Sequence, residues 1–315
     1  ARQFLRRHCH RAPLRSSAFV VSVALRLVRE GRWAEARRLL SFAVRLIRCA
    51  ATLDVRVLAH ATLGRASVGL RDYRSAARSY EAVVALWRDE PSCRRQLARL
   101  GGTAAARERR HTRVVAAVAE SLVFVGETRR RRAEQESFPQ YRGPATRRAV
   151  ERHVSQTVLS WIAKRRQAMA PAEAAYARVL ALDGGSPPPA YSLAARLGLG
   201  RMWADLVLAI RDAPHPRRWN RSGYVPGSQP PLLWAEIRAA YRERLWAESL
   251  PYEARATAVN IDCVTLGSRQ GRLDAVRICQ ERLTELSPNG PGPIERLAAI
   301  RSTSDVLWGT SLPLE

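Results

Sequence analysis

The sequence has no uninterrupted apolar run of the roughly 20 residues that a helix needs to cross a bilayer. Its two most apolar stretches, residues 18–28 and 114–125, are broken by Arg26 and Glu120. We therefore expect no membrane span.

Cysteine is scarce, and catalytic motifs are missing. The 5 cysteines are odd in number, scattered and without CxxC spacing, which argues against a disulfide framework and for a reducing compartment. No GxxxxGK[ST] loop, GxSxG elbow, HExxH pair or dinucleotide-binding glycine set is present. His8, Cys9 and His10 are adjacent and cannot by themselves complete a tetrahedral metal site. The sequence therefore predicts a protein that is not an enzyme, with no catalytic residues, metal, cofactor or small-molecule substrate.

Acidic residues are few relative to basic ones. Lysine and arginine together number 53 against 28 aspartates and glutamates, which gives a net charge of +25. Lys164 is the only lysine, so 52 of the 53 basic residues are arginine. GC-rich codon usage would favour arginine over lysine, but it does not explain the shortage of acids. The excess indicates a polyanionic partner, most commonly nucleic acid, whose phosphates arginine binds in a bidentate manner.

What the sequence does contain is a recurring helical pattern. Alanine, leucine and arginine are abundant, which favours helix. In residues 58–91, small residues and tyrosines stand where a tetratricopeptide repeat has them, and degenerate copies of this pattern follow Gly31 and Gly271. The chain thus resembles the tetratricopeptide family, whose helix pairs must stack because one pair alone cannot bury its apolar face.

The resemblance implies that small residues allow close helix packing and that Tyr73 and Tyr80 fill the space between helices. The residues it assigns to packing of the repeats are Gly31, Trp33, Ala36, Gly64, Tyr73, Ala76, Tyr80, Gly271, Val276 and Pro288.

The expected fold is therefore all-α, an α-solenoid of degenerate tetratricopeptide-like helical hairpins. Pro144 suits the first turn of a new helix, and further helices are expected at Pro171–Asp183 and Pro251–Leu266. The predicted regions are a basic N-terminal arm or targeting remnant at 1–19, a first helical arc at 20–125, a basic linker at 126–143, a second arc at 144–302 with an irregular insert at 213–231, and a tail at 303–315.

Arginines cluster at several points along the chain. Residues 129–132 are four consecutive arginines, which cannot share one helix face, so some must meet solvent or a partner. In the insert 213–231, Trp219 lies among arginines, as stacking on unpaired bases with phosphate contact requires. Alternatively, Trp219 and Tyr224 hold the insert onto the helical core. The candidate RNA-binding residues are Arg6, Arg7, Arg107, Arg109, Arg110, Arg129, Arg130, Arg131, Arg132, Lys164, Arg165, Arg166, Arg217, Arg218, Trp219 and Arg221.

The first 19 residues contain no acid and five arginines. This composition is typical of a mitochondrial targeting segment or of a basic arm that stays on the chain. With the degenerate repeats and the arginine- and alanine-rich usage, it resembles the lineage-specific proteins of kinetoplastid-type mitochondrial ribosomes.

That resemblance implies a structural or assembly component of a mitochondrial ribonucleoprotein, located in the matrix and serving translation. Arginines would contact rRNA phosphates, and the solenoid would hold neighbouring proteins. The alternatives are an adaptor with a groove for an acidic partner protein and an accessory subunit of a respiratory assembly.

Overall fold

The computed structural model describes residues 14–228 and 231–286. In these two ranges the chain is almost entirely helical, and its one β-type pairing is an isolated antiparallel bridge between Tyr224 and Leu233. The all-α prediction is confirmed. Within the same ranges, no helix is both long enough and apolar enough to cross a membrane.

The α-helices are numbered here in chain order. They are α1 (Leu14–Arg29), α2 (Trp33–Ala50), α3 (Leu53–Gly69), α4 (Tyr73–Leu86), α5 (Glu90–Ala98), α6 (Ala104–Ala133), α7 (Arg147–His153), α8 (Leu159–Gly185), α9 (Pro189–Arg211), α10 (Trp234–Arg269) and α11 (Leu273–Leu286). A π-helical turn (Val154–Val158) joins α7 to α8, and a 3₁₀ turn (Arg217–Asn220) lies between α9 and α10.

The chain divides into two compact units. Of the described residues, one unit comprises 14–128 and 174–192, and the other 129–173, 193–228 and 231–286. Helix α6 continues through residues 126–133, so the first part of the predicted linker 126–143 is helical. The division into two arcs at that linker stays a prediction.

Three helix pairs are closed by the same tight turn. Gly31, Arg71 and Gly271 have φ of +75°, +59° and +65°, in the left-handed region that ends many helices. In each case the next residue donates its N–H to the carbonyl five residues back, at 2.8 to 2.9 Å. Gly31 and Gly271 therefore serve the turns and not the packing, because an added Cβ there would meet no atom within 4 Å. Their predicted packing role is wrong.

Inside the helix pairs, glycines receive large side chains. A Cβ added to Gly64 would lie 2.8 Å from the Tyr80 ring, and the Trp33 ring packs in the same way on Gly69. Val276 lies equally close to Gly267. Ala36 and Ala76 are fully buried, so these predicted packing contacts are present.

Two packing predictions have another outcome. Tyr73 is 58% exposed, because it is the first residue of α4 and follows directly on Asp72, the residue that caps this helix. Its predicted place between helices is wrong. Pro288 lies outside the described residues.

Pro171 and Pro251 do not begin new helices. Each lies within helix: α8 continues through Pro171 and departs from helical geometry only at Leu182–Gly184, and α10 continues through Pro251. An internal proline removes a single backbone hydrogen bond, and the alanine-rich sequence around Pro171 favours helix strongly enough to continue through it.

A disulfide joins α10 to α11. Cys263 and Cys279 have sulfur atoms 2.13 Å apart and Cα atoms 6.3 Å apart. The expectation of no disulfide is wrong for this pair, because the turn at Gly271 brings cysteines 16 residues apart to facing positions. With this cysteine pair bonded, the cysteine pattern no longer indicates a reducing compartment.

Candidate nucleic-acid interface

Four aromatic side chains of the second unit form one cluster. Tyr141 precedes α7, His153 ends α7, Trp219 lies in the 3₁₀ turn, and Tyr241 is on α10. The ring centroid of Tyr141 is 4.9 Å from that of His153 and 5.0 Å from that of Trp219, and Trp219 lies 5.6 Å from Tyr241. This aromatic cluster brings together three segments that are distant in sequence, namely 138–153, 213–228 and 234–248.

The insert 213–228 is fixed to its neighbours by hydrogen bonds as well as by Trp219. Arg218 donates to the Gly143 carbonyl at 2.6 Å, and Arg238 of α10 donates to the Asn220 side chain at 3.1 Å. At the far end, Val225 N–H donates to the Leu232 carbonyl at 2.8 Å. The segment without regular structure thus has a defined position on the helices.

Helix α7 presents arginines to solvent through its periodicity. Thr146 caps its N-terminus by accepting from the Ala149 N–H at 3.3 Å. Val150 is buried, whereas Arg148 and Arg152 are exposed on the opposite side. The π-helical turn that follows continues the pattern, with Val154 buried.

The three segments carry ten arginines and only four carboxylates. Two of these arginines pair with glutamates one turn away, Arg147 with Glu151 at 3.7 Å and Arg244 with Glu248 at 2.9 Å. Six others are exposed and have no partner in the part of the chain that the structure describes. We call these six the arginine surface: Arg142, Arg148, Arg152, Arg217, Arg221 and Arg242.

The polar atoms inside the aromatic cluster are not set up for chemistry. Burial lowers the pKa of His153, raises the pKa of Tyr141, and raises the pKa of Tyr241 to about 12. All three groups are therefore neutral at pH 7. The Trp219 Nε1, His153 Nε2 and Tyr241 hydroxyl have no hydrogen-bond partner among the described residues. The cluster acts as a neutral support for the charged surface around it.

A groove of about 240 Å³ lies beside this surface, between α7 and α10. Its charged lining consists of Arg147, Glu151, Glu243 and Arg244. Because the charges are balanced, the groove does not select an anion or a cation.

Two of the predicted RNA-binding arginines are buried. Arg130 is 1% exposed and binds the carboxylates of Glu134 and Asp205. Arg165 is 6% exposed, donates to the Glu136 carbonyl at 3.2 Å, and has its pKa lowered by burial. Neither guanidinium can reach RNA in this fold, so both predictions are wrong.

Trp219 is the third incorrect prediction. Its side chain is 0% exposed, so no base can stack on it. The alternative interpretation, in which Trp219 and Tyr224 hold the insert onto the core, is confirmed for Trp219 by its contacts with Tyr141 and Tyr241. For Tyr224 it is wrong, because that side chain is 65% exposed.

The other predicted arginines are at the surface, but not all are free. Arg107, Arg109 and Arg132 are exposed without a partner in the described ranges. Arg110 binds Asp54 at 3.2 Å, and Arg129 donates to the Pro171 carbonyl at 3.2 Å. The remaining predicted residues in the described part of the chain are exposed, namely Arg131, Lys164, Arg166, Arg217, Arg218 and Arg221.

Arg166 belongs to a second arginine–aromatic arrangement. Its guanidinium lies 5.8 Å from the Tyr252 ring, which stacks on Trp203, and Arg255 covers Trp203 at 4.4 Å. Arg6 and Arg7 lie outside the described residues, so their predicted role is untested.

The sequence prediction missed four members of the arginine surface: Arg142, Arg148, Arg152 and Arg242. A usable signal was present for α7, because Arg148 and Arg152 are four residues apart and out of phase with Val150 and Val154. The sequence around Arg142 and Arg242 contains no comparable periodicity. The aromatic cluster brings the segments that carry these two residues together with α7.

Comparisons with protein-family models, with curated proteins and with solved structures find no match for this chain. The function of the chain is therefore inferred from the residues of the site.

Proposed function

We propose that this chain is a non-catalytic, RNA-binding scaffold protein of a mitochondrial ribosome-like ribonucleoprotein. The observation that carries the proposal is the arginine surface. It consists of six exposed guanidinium groups without partners in the described ranges, on three segments held by one aromatic cluster.

The charge of this surface needs compensation from outside the chain. Like charges on a fixed support repel one another. Of the four nearby carboxylates, those of Glu151 and Glu248 are already paired and that of Glu236 accepts from the Leu233 N–H, which leaves Glu243 for six guanidinium groups. An RNA backbone supplies regularly spaced phosphates, each able to accept two hydrogen bonds from one guanidinium. Binding also releases the counterions condensed on the RNA, which gives a favourable entropy.

The helical hairpins supply the scaffold part of the proposal. Helix pairs with a common turn would stack into a solenoid, whose extended surfaces hold neighbouring proteins. Phe19 on α1 and Phe42 on α2 are large exposed apolar side chains that such a neighbour would cover. The acid-free first 19 residues support a location in the mitochondrial matrix.

The test is the salt dependence of RNA binding. Six phosphate contacts give a slope of log K against log salt of about −5, so affinity falls about 10³-fold between 50 and 200 mM salt. A quadruple glutamine variant at Arg148, Arg152, Arg217 and Arg221 would leave two contacts. Its slope should be about −2, with a loss of only about tenfold over the same range.

A matched control removes four arginines of the first unit that are exposed and have no partner among residues 14–228 and 231–286, namely Arg74, Arg88, Arg95 and Arg99. It changes the net charge equally and should keep the steep slope. If the two variants behave alike, the binding is a general charge effect and the arginine surface is not the site.

The alternatives give different results. An adaptor for an acidic protein would bind a glutamate-rich polypeptide as tightly as RNA and would keep its native partners after ribonuclease treatment. A respiratory subunit would likewise sediment unchanged. A component of an RNA particle should leave the fast-sedimenting fraction when the RNA is digested.

A further inference from the structure

We infer, on the basis of the proposed function, that the arginine surface binds the backbone of base-paired RNA and not unpaired bases. The inference starts from the aromatic side chains that surround the six arginines. Proteins that hold single strands combine a basic groove with exposed rings on which bases stack, each worth about 1–3 kcal/mol.

Most aromatic rings at this site are buried in the packing of the three segments. Trp219 and Tyr241 are fully buried, and Tyr141 is buried against both of them. Phe138 packs on Trp161 with ring centroids 4.8 Å apart. These rings hold the segments together: four of them are buried, and Phe138 is half-buried against Trp161.

Two other rings in the three segments are exposed. Trp246 on α10 is partly exposed, but the Arg211 guanidinium covers its face at 3.5 Å. Tyr224, in the insert, is 65% exposed and no ring contact is found for it among the described residues. The surface therefore offers one stacking position for six guanidinium groups.

This ratio suits phosphate recognition. A double helix carries the phosphates of two strands at high density, and contacts to them need no access to base faces. Paired bases are already stacked inside the duplex, so a protein surface without rings loses nothing by binding it. The expected ligand is a structured RNA helix, bound without regard to sequence.

The experiment compares a 20-base-pair RNA duplex with a 20-nucleotide oligouridylate, which forms no stable pairing. Binding of the full chain is followed by fluorescence anisotropy at 100 mM salt. We expect the duplex to bind at least about tenfold more tightly. A second duplex of unrelated sequence should bind within about threefold of the first.

Tyr224→Ala separates stacking from phosphate contact, because this exposed ring can be removed with little effect on packing. We expect it to change the affinity for either RNA by less than about twofold. Equal or tighter binding of the single strand, a large loss of single-strand binding in Y224A, or strong sequence preference among duplexes would overturn the inference.

These outcomes are distinct from failure of the proposed function. If neither RNA binds, or if the quadruple arginine variant binds both as well as the parent chain, RNA binding by this surface is itself refuted. If the single strand binds more tightly than the duplex, and the quadruple arginine variant no longer binds the single strand, the proposed function is retained and only the duplex inference is refuted.

Discussion

Replacing Trp219 by alanine should release the insert 213–228 from the helices. The side chain is fully buried between Tyr141 and Tyr241, and truncation of a buried tryptophan costs about 3–5 kcal/mol. The indole Nε1 has no hydrogen-bond partner in the described part of the chain, so the cost comes from packing alone. Trp219→Phe keeps part of that packing and should cost about 1–2 kcal/mol.

Limited digestion with trypsin measures this effect locally. The insert contains Arg217, Arg218 and Arg221, which are cleavage sites on either side of the anchoring ring. When opening is fast relative to cleavage, the rate follows the population of the open form. A loss of about 3 kcal/mol should raise cleavage at these sites about 150-fold in W219A, and a loss of about 1.4 kcal/mol about tenfold in W219F.

Arg107 and Arg109, in the first unit, provide an internal control on the same gel. Their cleavage rates should be the same in all three proteins. The reasoning is refuted if W219A is cut at the insert no faster than the parent chain, because Trp219 would then not hold the insert.

Three further predictions concern stability, each followed by chemical denaturation of the full chain. Burial lowers the pKa of His153, so below about pH 6.5 the unfolded chain binds a proton more readily than the folded chain, and stability should fall as the pH drops. His153→Phe should reduce the difference in unfolding free energy between pH 7 and pH 5. If that difference is unchanged, His153 is not its cause. Reducing the bridge between Cys263 and Cys279 should cost about 3 kcal/mol for its 16-residue separation. An unaltered midpoint, together with alkylation of Cys263 and Cys279 before any reductant is added, would show that the bridge does not form. Arg130→Met removes the cation of Glu134, while Asp205 keeps Arg201 and Arg282, and should cost about 2–3 kcal/mol. The exposed Arg132→Met should stay within about 0.5 kcal/mol, so equal costs would contradict the burial of Arg130.

Local chemistry made the helix pairs predictable from the sequence. Gly31 and Gly271 provide the left-handed residue that ends a helix, and the pairing of Gly64 with Tyr80 follows from a small residue facing a large one. The internal prolines Pro171 and Pro251 misled the prediction, because helix propensity on both sides outweighed one lost hydrogen bond.

The candidate site was only partly predictable. A list of arginines gives the charge but not the direction of each side chain. In residues 129–132, Arg130 turns inward to the carboxylates of Glu134, just after α6, and of Asp205 on α9, while its neighbours face solvent. Nothing in a run of identical residues marks that one. The aromatic cluster was also hidden, because Tyr141, Trp219 and Tyr241 are distant in sequence.

The use of the carboxylates connects the fold with the proposed partner. Asp205 alone lies near three guanidinium groups, those of Arg130 and Arg282 at 3.4 Å and of Arg201 at 3.6 Å. Glu120 is likewise committed to a buried contact in the first unit. Burying a guanidinium is costly, so the fold uses Glu134 and Asp205 at Arg130, whereas Arg165 is buried on the Glu136 carbonyl. Acids used in this way do not compensate the surface. Because the chain has 28 acids for 53 bases, the surface carries an excess of arginines over carboxylates. A phosphate backbone compensates it without burying any of those surface arginines, which is why we favour RNA over a ligand that needs a pocket.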